Sequence, residues 1–278
     1  MGDRADGLEG VVAAETVLSD VDGEGGRLTI RGHGLEALAG WTFEAVMELL
    51  WAGFFDPAPI DLAAALGLAR AEVFEQVEAL DRQLLALEPI EAMRALTARL
   101  ADGEDLATAL RLAAAPAVFA PAAIRLRAGE AALAPDPRAG HAADILRMTR
   151  GGPGSPAEIA ALDTYLVTVC DHGLNASTFA ARVVASTRAG LVSAVLAGIG
   201  ALKGPLHGGA PGPVIEMLDA VGEPGNARSW LEAALDRGDR LMGFGHRVYR
   251  VRDPRADALK RAVGALGRVC EAPPGRLA

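Results

Sequence analysis

The sequence has few aromatics, few cysteines and hardly any lysine. Phe, Trp and Tyr make up 4% of its 278 residues, while alanine is its most frequent residue, a balance that favours closely packed helices over β-sandwiches. Cys170 and Cys270 are the only cysteines, which excludes a disulfide scaffold and suits buried free thiols in a reducing compartment. Net charge is −9, which removes any overall electrostatic case for nucleic acid or an anionic membrane. The N-terminus, Met1 to Asp6, carries charges without an apolar core and does not read as a signal peptide. The most lipid-like run, Leu191 to Leu202, falls short of the roughly 20 residues needed to span a bilayer. What is present is 51% hydrophobic and 23% charged residues, ample for a real core. A soluble, cytoplasmic protein with no membrane or nucleic-acid partner is expected.

Only residues 15–31 read as β. Thr16-Val17-Leu18 and Arg27-Leu28-Thr29-Ile30 flank the Gly-rich turn Asp22 to Gly26. Everything after them reads as helix. Thr42 is a candidate N-cap for 42–54, with Phe43, Val46, Met47, Leu50 and Phe54 on one face. Residues 71–87 and 90–101 are amphipathic, and Ser155-Pro156-Ala157-Glu158 has the spacing of a capping box. Residues 176–202 are apolar on all sides, which predicts either a core helix or a subunit interface. Asn226 is expected to cap a helix ending near Gly238, and Asp253-Pro254 to start another. The Pro/Ala-rich stretches 114–122 and 134–140 read as turns or helix breaks.

Three of the five histidines stand beside glycines where helices break: Asp171-His172-Gly173, Gly204-Pro205-Leu206-His207-Gly208-Gly209 and Gly243-Phe244-Gly245-His246. One such histidine alone is an ordinary loop residue. Three of them within one stretch of chain suggest imidazoles set to meet a substrate carbonyl. Zinc is disfavoured, because no His-x-x-x-His or His-Glu-x-x-His spacing occurs and Cys170 is the only nearby thiol. The basic run Arg247 to Arg255 could be a solvated face. Arg255, however, falls at the second position of a helix capped by Asp253, where helix N–H groups already favour an anion and a guanidinium suits a carboxylate.

At these residues the sequence resembles the citrate synthase family. Gly243-Phe244-Gly245-His246-Arg247-Val248-Tyr249-Arg250-Val251-Arg252-Asp253-Pro254-Arg255 fits the family signature. Gly204 to Ala210 and Asp171-His172-Gly173-Leu174-Asn175-Ala176-Ser177-Thr178 match two further blocks. Val21 to Leu28 with Arg31-Gly32, then Leu35 to Ala39, look like the N-terminal hairpin and first helix. The resemblance implies an all-α homodimer with a short N-terminal β-hairpin, a large domain at 1–206 and part of a small domain at 207–278. It implies condensation of acetyl-CoA with oxaloacetate to citrate and CoA, without metal or other cofactor. His207 would bind the thioester carbonyl, and His246 would donate to the oxaloacetate carbonyl. His172 and Arg255 would hold oxaloacetate, while Gly243, Gly245 and Arg250 would contact CoA. His33 and His141 match no catalytic block and are expected to be structural or at the surface.

The sequence departs from the family pattern at two points. Pro211 stands where many members have Asn. No Asn-Val-Asp-Phe-like segment, whose Asp would take the acetyl proton, occurs in the 278 residues. The chain as it stands is therefore expected to be a truncated or inactive form. The alternatives are a 2-methylcitrate synthase acting on propionyl-CoA, or a non-catalytic relative that keeps binding or dimerisation.

Overall fold

Short polar residues in front of apolar runs set most helix starts. A computed structural model describes residues 14–55, 61–209, 211–239, 241, 243 and 249–269. A three-stranded antiparallel sheet comes first: β1 (Ser19–Asp22), β2 (Arg27–Ile30) and β3 (His33–Gly34). Ser19 pairs with Ile30 and Asp22 with Arg27, so Thr16 to Leu18 precede the sheet rather than forming its first strand. Helices follow: α1 (Leu35–Leu38), α2 (Phe43–Trp51), α3 (Leu62–Phe74), α4 (Arg82–Leu85), α5 (Pro89–Thr97), α6 (Leu106–Arg127) and α7 (His141–Arg150). Then come α8 (Pro156–Thr168), α9 (Ala176–Ala185), α10 (Leu191–Leu202), α11 (Pro211–Val221), α12 (Ala227–Asp236) and α13 (Pro254–Val269). The fold is all-α with a small N-terminal sheet, as expected.

The caps are local and explicit. Thr42 Oγ1 accepts from Ala45 N at 3.3 Å, and Asp105 accepts from Thr108 N at 2.8 Å. Ser155 and Glu158 form the full capping box, at 3.3 and 2.8 Å. Asn226 differs: a 3-10 turn over Pro224–Asn226 leads into α12, and its side chain makes no cap bond. Phe54 also differs, lying past the end of α2 with 57% exposure.

The core is built around α6, which packs against α3, α5, α7 and α10. Pro116 and Pro121 sit inside this one 22-residue helix, so residues 114–122 are not a break. Ala114, Ala115, Phe119, Ala122 and Ala123 are buried along it, and that packing outweighs the local helix penalty of proline. Among the described residues α6, and not the 191–202 segment, is the helix long and apolar enough to cross a membrane; here it is the core helix, mostly buried. A second apolar cluster joins Leu28 and Ile30 of the sheet to Leu35, Leu38, Val46 and Val167.

Two long periodic runs are broken. Within 71–87, α3 ends at Phe74, a 3-10 turn spans Glu75–Ala79, and the Asp81 carboxylate starts α4 by accepting from Gln83 N and Leu84 N, both at 2.9 Å. Residues 176–202 form an antiparallel-type pair of helices rather than one. Gly190, at φ +97°, turns the chain between α9 and α10, and Asp102 then accepts from Val192 N (2.8 Å) and Ser193 N (3.1 Å) to cap α10 from a distant loop. A Cβ at position 190 would stand 2.2 Å from Asp102 Oδ1, so glycine is required on two counts. The pair is not buried all round within one chain: Val183 is 50% exposed and no residue of α9 is buried.

One polar cluster lies deep between α3, α7 and the 134–140 segment. Arg70 and Asp144 are both fully buried and bonded, Nε to Oδ2, at 3.0 Å. Arg70 also donates to Asp136 O and Ala139 O, while Asp144 takes Arg147 and Asp136 N as well. His141 Nδ1 stands 3.3 Å from Arg70 Nη1, and its ring stacks on Phe43 at 4.5 Å. His141 is thus structural and buried, whereas His33 is exposed beside Trp41. Burial, and then Arg70, push the His141 imidazole down to about 3. The unfolded chain takes up this proton near pH 6.5 and the folded chain does not, so stability should fall as pH drops from about 6.5 towards 3. The slope for this group approaches about 1.4 kcal/mol per pH unit. Urea unfolding at pH 7, 6 and 5 should show that slope, and a folded His141→Asn variant should lose it.

Candidate active site

The residues after α8 leave the helix at Val169, and the chain turns through Asp171, His172 and Gly173 before α9. Asn175 starts α9: its Oδ1 accepts from Thr178 N at 3.0 Å. This bond orients the amide, so Nδ2 faces the other way, towards His172 Nε2 at a long 3.4 Å. Since an amide NH₂ only donates, His172 Nε2 accepts. Ser177, in the first turn of α9, donates to Asn175 Oδ1 at 2.7 Å. Its oxygen also lies 2.9 Å from His207 Nε2.

His207 arrives from the C-terminal end of α10. The turn is tight: His207 N and Gly209 N both donate to Gly204 O, at 3.0 and 3.1 Å. Gly208 and Gly209 press against Leu202, Lys203 and Gly204, where a Cβ would come within 2.9 Å of backbone oxygen. The Lys203–Glu91 ion pair ties the end of α10 to α5.

Arg255 comes from a third direction, at the start of α13. Asp253 accepts from Arg255 N at 2.9 Å and grips the guanidinium through Nε (3.0 Å) and Nη2 (2.7 Å). The guanidinium carbon lies 5.6 Å from the centre of the buried Tyr249 ring. Burial works against the charge, but Asp253 outweighs it and holds Arg255 above its ordinary value. The His172 imidazole is lowered, by burial first and then by Arg255, with His207 acting the same way and Asp171 against it. His172 and His207, both half-buried, are thus joined through Asn175 and Ser177, and the charge of the half-buried Arg255 acts on His172, although the three come from separate stretches of chain.

The remaining expected residues fall out differently. His246 and Gly245 lie outside the described residues. Gly243 packs on Val214 of α11, and Arg250 is exposed, with its backbone N–H donated to Gly23 O at 2.8 Å. Cys170 is half-buried, and its thiol is pushed up to about 11 by burial and by Asp171, which makes it a poor nucleophile. Among the described residues no group of three or more metal-ligating side chains is found. Two apolar cavities of about 280 and 220 Å³ lie around Trp51 and hold none of the three site residues. Asn175 and Ser177 carry no role in the sequence reading; the signal was there, an Asn cap with Ser two positions on.

Chemically the cluster can polarise a carbonyl and hold a carboxylate. The Ser177 proton decides how. Donated to Asn175, it draws a proton from His207 Nε2–H; turned onto Nε2, it leaves the ring proton on Nδ1, where it can serve a substrate oxygen.

The comparisons with known proteins agree with this architecture. A family model described as "Citrate synthase, C-terminal domain" matches residues 7–274. The solved citrate synthase of Thermotoga maritima MSB8 superposes with a TM-score of 0.79 at 32% identity, covering 93% of this chain and 72% of that one. A Thermoplasma acidophilum citrate synthase, solved as a ternary complex with carboxymethyl coenzyme A and oxaloacetate, gives 0.79 at 29% identity, over 94% and 72%. The fold is therefore the all-helical one of the citrate synthase enzymes. At the level of sequence, 2-methylcitrate synthase of Mycobacterium tuberculosis (strain H37Rv) is 38% identical over 95% of this chain and 70% of its own length. Citrate synthase of Haloferax volcanii is 39% identical over 96% and 75%. The chain belongs to the citrate synthase family.

The link from Ser177 to His207 is directly measurable. Histidine ¹⁵N spectra of the chain should show one dominant His207 tautomer, and Ser177→Ala should convert it to a mixture without unfolding the protein. An unchanged tautomer in the variant would remove Ser177 from the site.

Proposed function

We propose that these residues carry citrate synthase-type chemistry, condensing acetyl-CoA with oxaloacetate to give citrate and CoA. The observation that supports it is the meeting of His172, His207 and Arg255 with the Asn175–Ser177 relay between the two imidazoles. In this reading Ser177 turns its hydroxyl from Asn175 onto His207 Nε2, and His207 then donates Nδ1–H to the thioester carbonyl and stabilises the enolate or enol as charge builds on its oxygen. His246 donates to the oxaloacetate carbonyl as it becomes an alkoxide. His172 and Arg255 hold oxaloacetate, the arginine through a carboxylate. Gly243, Gly245 and Arg250 contact CoA, with no metal or further cofactor. The large domain ends near residue 206, and the small one begins at His207. The work is done in the cytoplasm.

Removal of the methyl proton has no group assigned to it among the 278 residues. Two carboxylates beside the proposed site residues in sequence are committed elsewhere. Asp171 is bonded to Ser19 and Gly173, and Asp253 to Arg255 and the α13 N-terminus. The only asparagines, Asn175 and Asn226, begin no Asn-Val-Asp-Phe-like segment. Relatives named for citrate and for 2-methylcitrate lie at 39% and 38% identity, so propionyl-CoA is the competing acyl donor. One methylene changes kcat/KM by about 10–200-fold, which makes side-by-side kinetics decisive.

General base catalysis supplies roughly 10²–10⁴-fold, and lost positioning adds to the deficit. The 278-residue chain should therefore release negligible CoA from acetyl-CoA and oxaloacetate. The same chain supplied with an Asp-bearing segment of the family type should turn over, and His207→Ala or His246→Ala in it should abolish activity. Robust oxaloacetate-dependent thiol release by the 278 residues alone would show that a base is present among them; silence from the longer chain would sink the assignment.

We further propose a homodimer that covers α9 and α10. Val183 and Leu202 are 50% and 37% exposed on this pair, which has apolar residues on every side. Light scattering at micromolar concentration should give twice the chain mass of 28.6 kDa, and a stable monomer would contradict it.

A further inference from the structure

The N-terminal hairpin touches both loops that hold the proposed oxaloacetate contacts. On one side Ser19 Oγ donates to Asp171 Oδ1, the same oxygen that accepts from Gly173 N at 3.1 Å. Val21 packs at Gly173, where a Cβ would stand 3.4 Å from Val21 Cγ2. On the other side Arg250 N–H donates to Gly23 O at 2.8 Å. Gly26 lies so close beneath the same segment that a Cβ there would stand 2.8 Å from Val251 Cγ2 and 2.9 Å from Arg252 O. Its φ of +62° excludes most side chains independently. The turn itself is closed by Asp22, which accepts from Gly25 N at 2.7 Å and Arg27 Nη2 at 2.8 Å.

We propose that this hairpin is a positioning element for the dicarboxylate site, wedged between the His172 loop and the Arg255 segment so that its register sets their separation. Gly26 and Ser19 are the positioning residues, acting through Arg255 and His172. The inference rests on the reading of those two residues as oxaloacetate contacts. A dicarboxylate bound between an imidazole and a guanidinium needs both at a fixed spacing. His172 is the first residue after the Ser19-bonded Asp171, and Arg255 is three residues after Arg252. The His172 loop lies between α8 and α9, and the chain leading to Arg255 enters α13 only at Pro254, so residues 171–173 and 249–253 have no helical ladder to hold them. The hairpin holds them from outside, through the Arg250–Gly23 backbone bond and the Ser19–Asp171 bond, and is itself anchored by Leu28 and Ile30 in the apolar cluster with α1, α2 and α8.

The test uses the 278-residue chain with two readouts: His172 titration by ¹H–¹⁵N spectroscopy, and oxaloacetate binding by calorimetry. The groups facing His172 are Arg255, Asp171 and His207, so its titration reports their distance. Gly26→Ala should move the His172 midpoint upward as Arg255 recedes, and weaken oxaloacetate about tenfold, equivalent to about 1.4 kcal/mol of lost binding. Ser19→Ala should act in the same direction more weakly, and Ser19→Thr should restore both readouts. In an Arg255→Ala background, Gly26→Ala should change oxaloacetate binding no further. Folded Gly26→Ala and Ser19→Ala chains with unaltered titration and affinity would overturn the proposal. If Gly26→Ala does not fold, the Ser19 pair decides by the same readouts. If Arg255→Ala binds oxaloacetate as tightly as the parent chain, the reading of Arg255 as a substrate contact fails, and the His172 titration alone decides on the hairpin.

Discussion

The site depends on one helix cap. Asn175 Oδ1 satisfies an N–H in the first turn of α9, and because that bond fixes the amide, everything attached to Asn175 is fixed with it. Its NH₂ faces His172, and its oxygen also receives the Ser177 hydroxyl, which stands against His207. A contact whose first purpose is to begin a helix thus sets the relation between two imidazoles. Hydrophobic burial cannot do this, because it has no direction. The cap has direction, and the site inherits it.

The supports further out follow the same pattern of loops held from a distance by rigid elements. α10 carries His207 at its far end, so its origin matters. Asp102 pins that origin from the loop before α6, and the Lys203–Glu91 pair pins the other end to α5. Asp102 is lowered despite the opposing effect of burial, because Ser193 and three backbone N–H groups all stabilise its charge. Below all of this, Arg70 and Asp144 lock α3 to α7. Removing one partner there would strand a buried charge, typically at about 3–5 kcal/mol, which makes the pair hard to lose.

Local chemistry was the legible part of the sequence. Thr42, Ser155 with Glu158, and Asp253 behave as their side chains predict, because a cap is decided within four residues. The His172 and His207 loops were legible for a similar reason: glycine beside a helix end leaves few alternatives for the backbone. Features decided by partners far along the chain were not legible. Pro116 and Pro121 read as breaks until the packing around α6 is known. The turn at Gly190 needs Asp102, nearly ninety positions earlier, to explain it. Arg70 looks like any surface arginine in an alanine-rich stretch, and only Asp144, Asp136 O and Ala139 O reveal it as interior. The hairpin was read as a hairpin, but its contacts with the 250–252 segment join the two ends of the chain, and no local pattern encodes that.

His172 and Arg255 are proposed to hold a dicarboxylate, with His207 coupled to His172 through Asn175 and Ser177. Titrating the chain with oxaloacetate while following the histidine ¹⁵N signals tests it most directly. The account predicts that His172 and His207 shift together, along one saturation curve, while the buried His141 and the exposed His33 stay still. Shifts of His172 and His207 with different midpoints, or no response from either at saturating oxaloacetate, would contradict it.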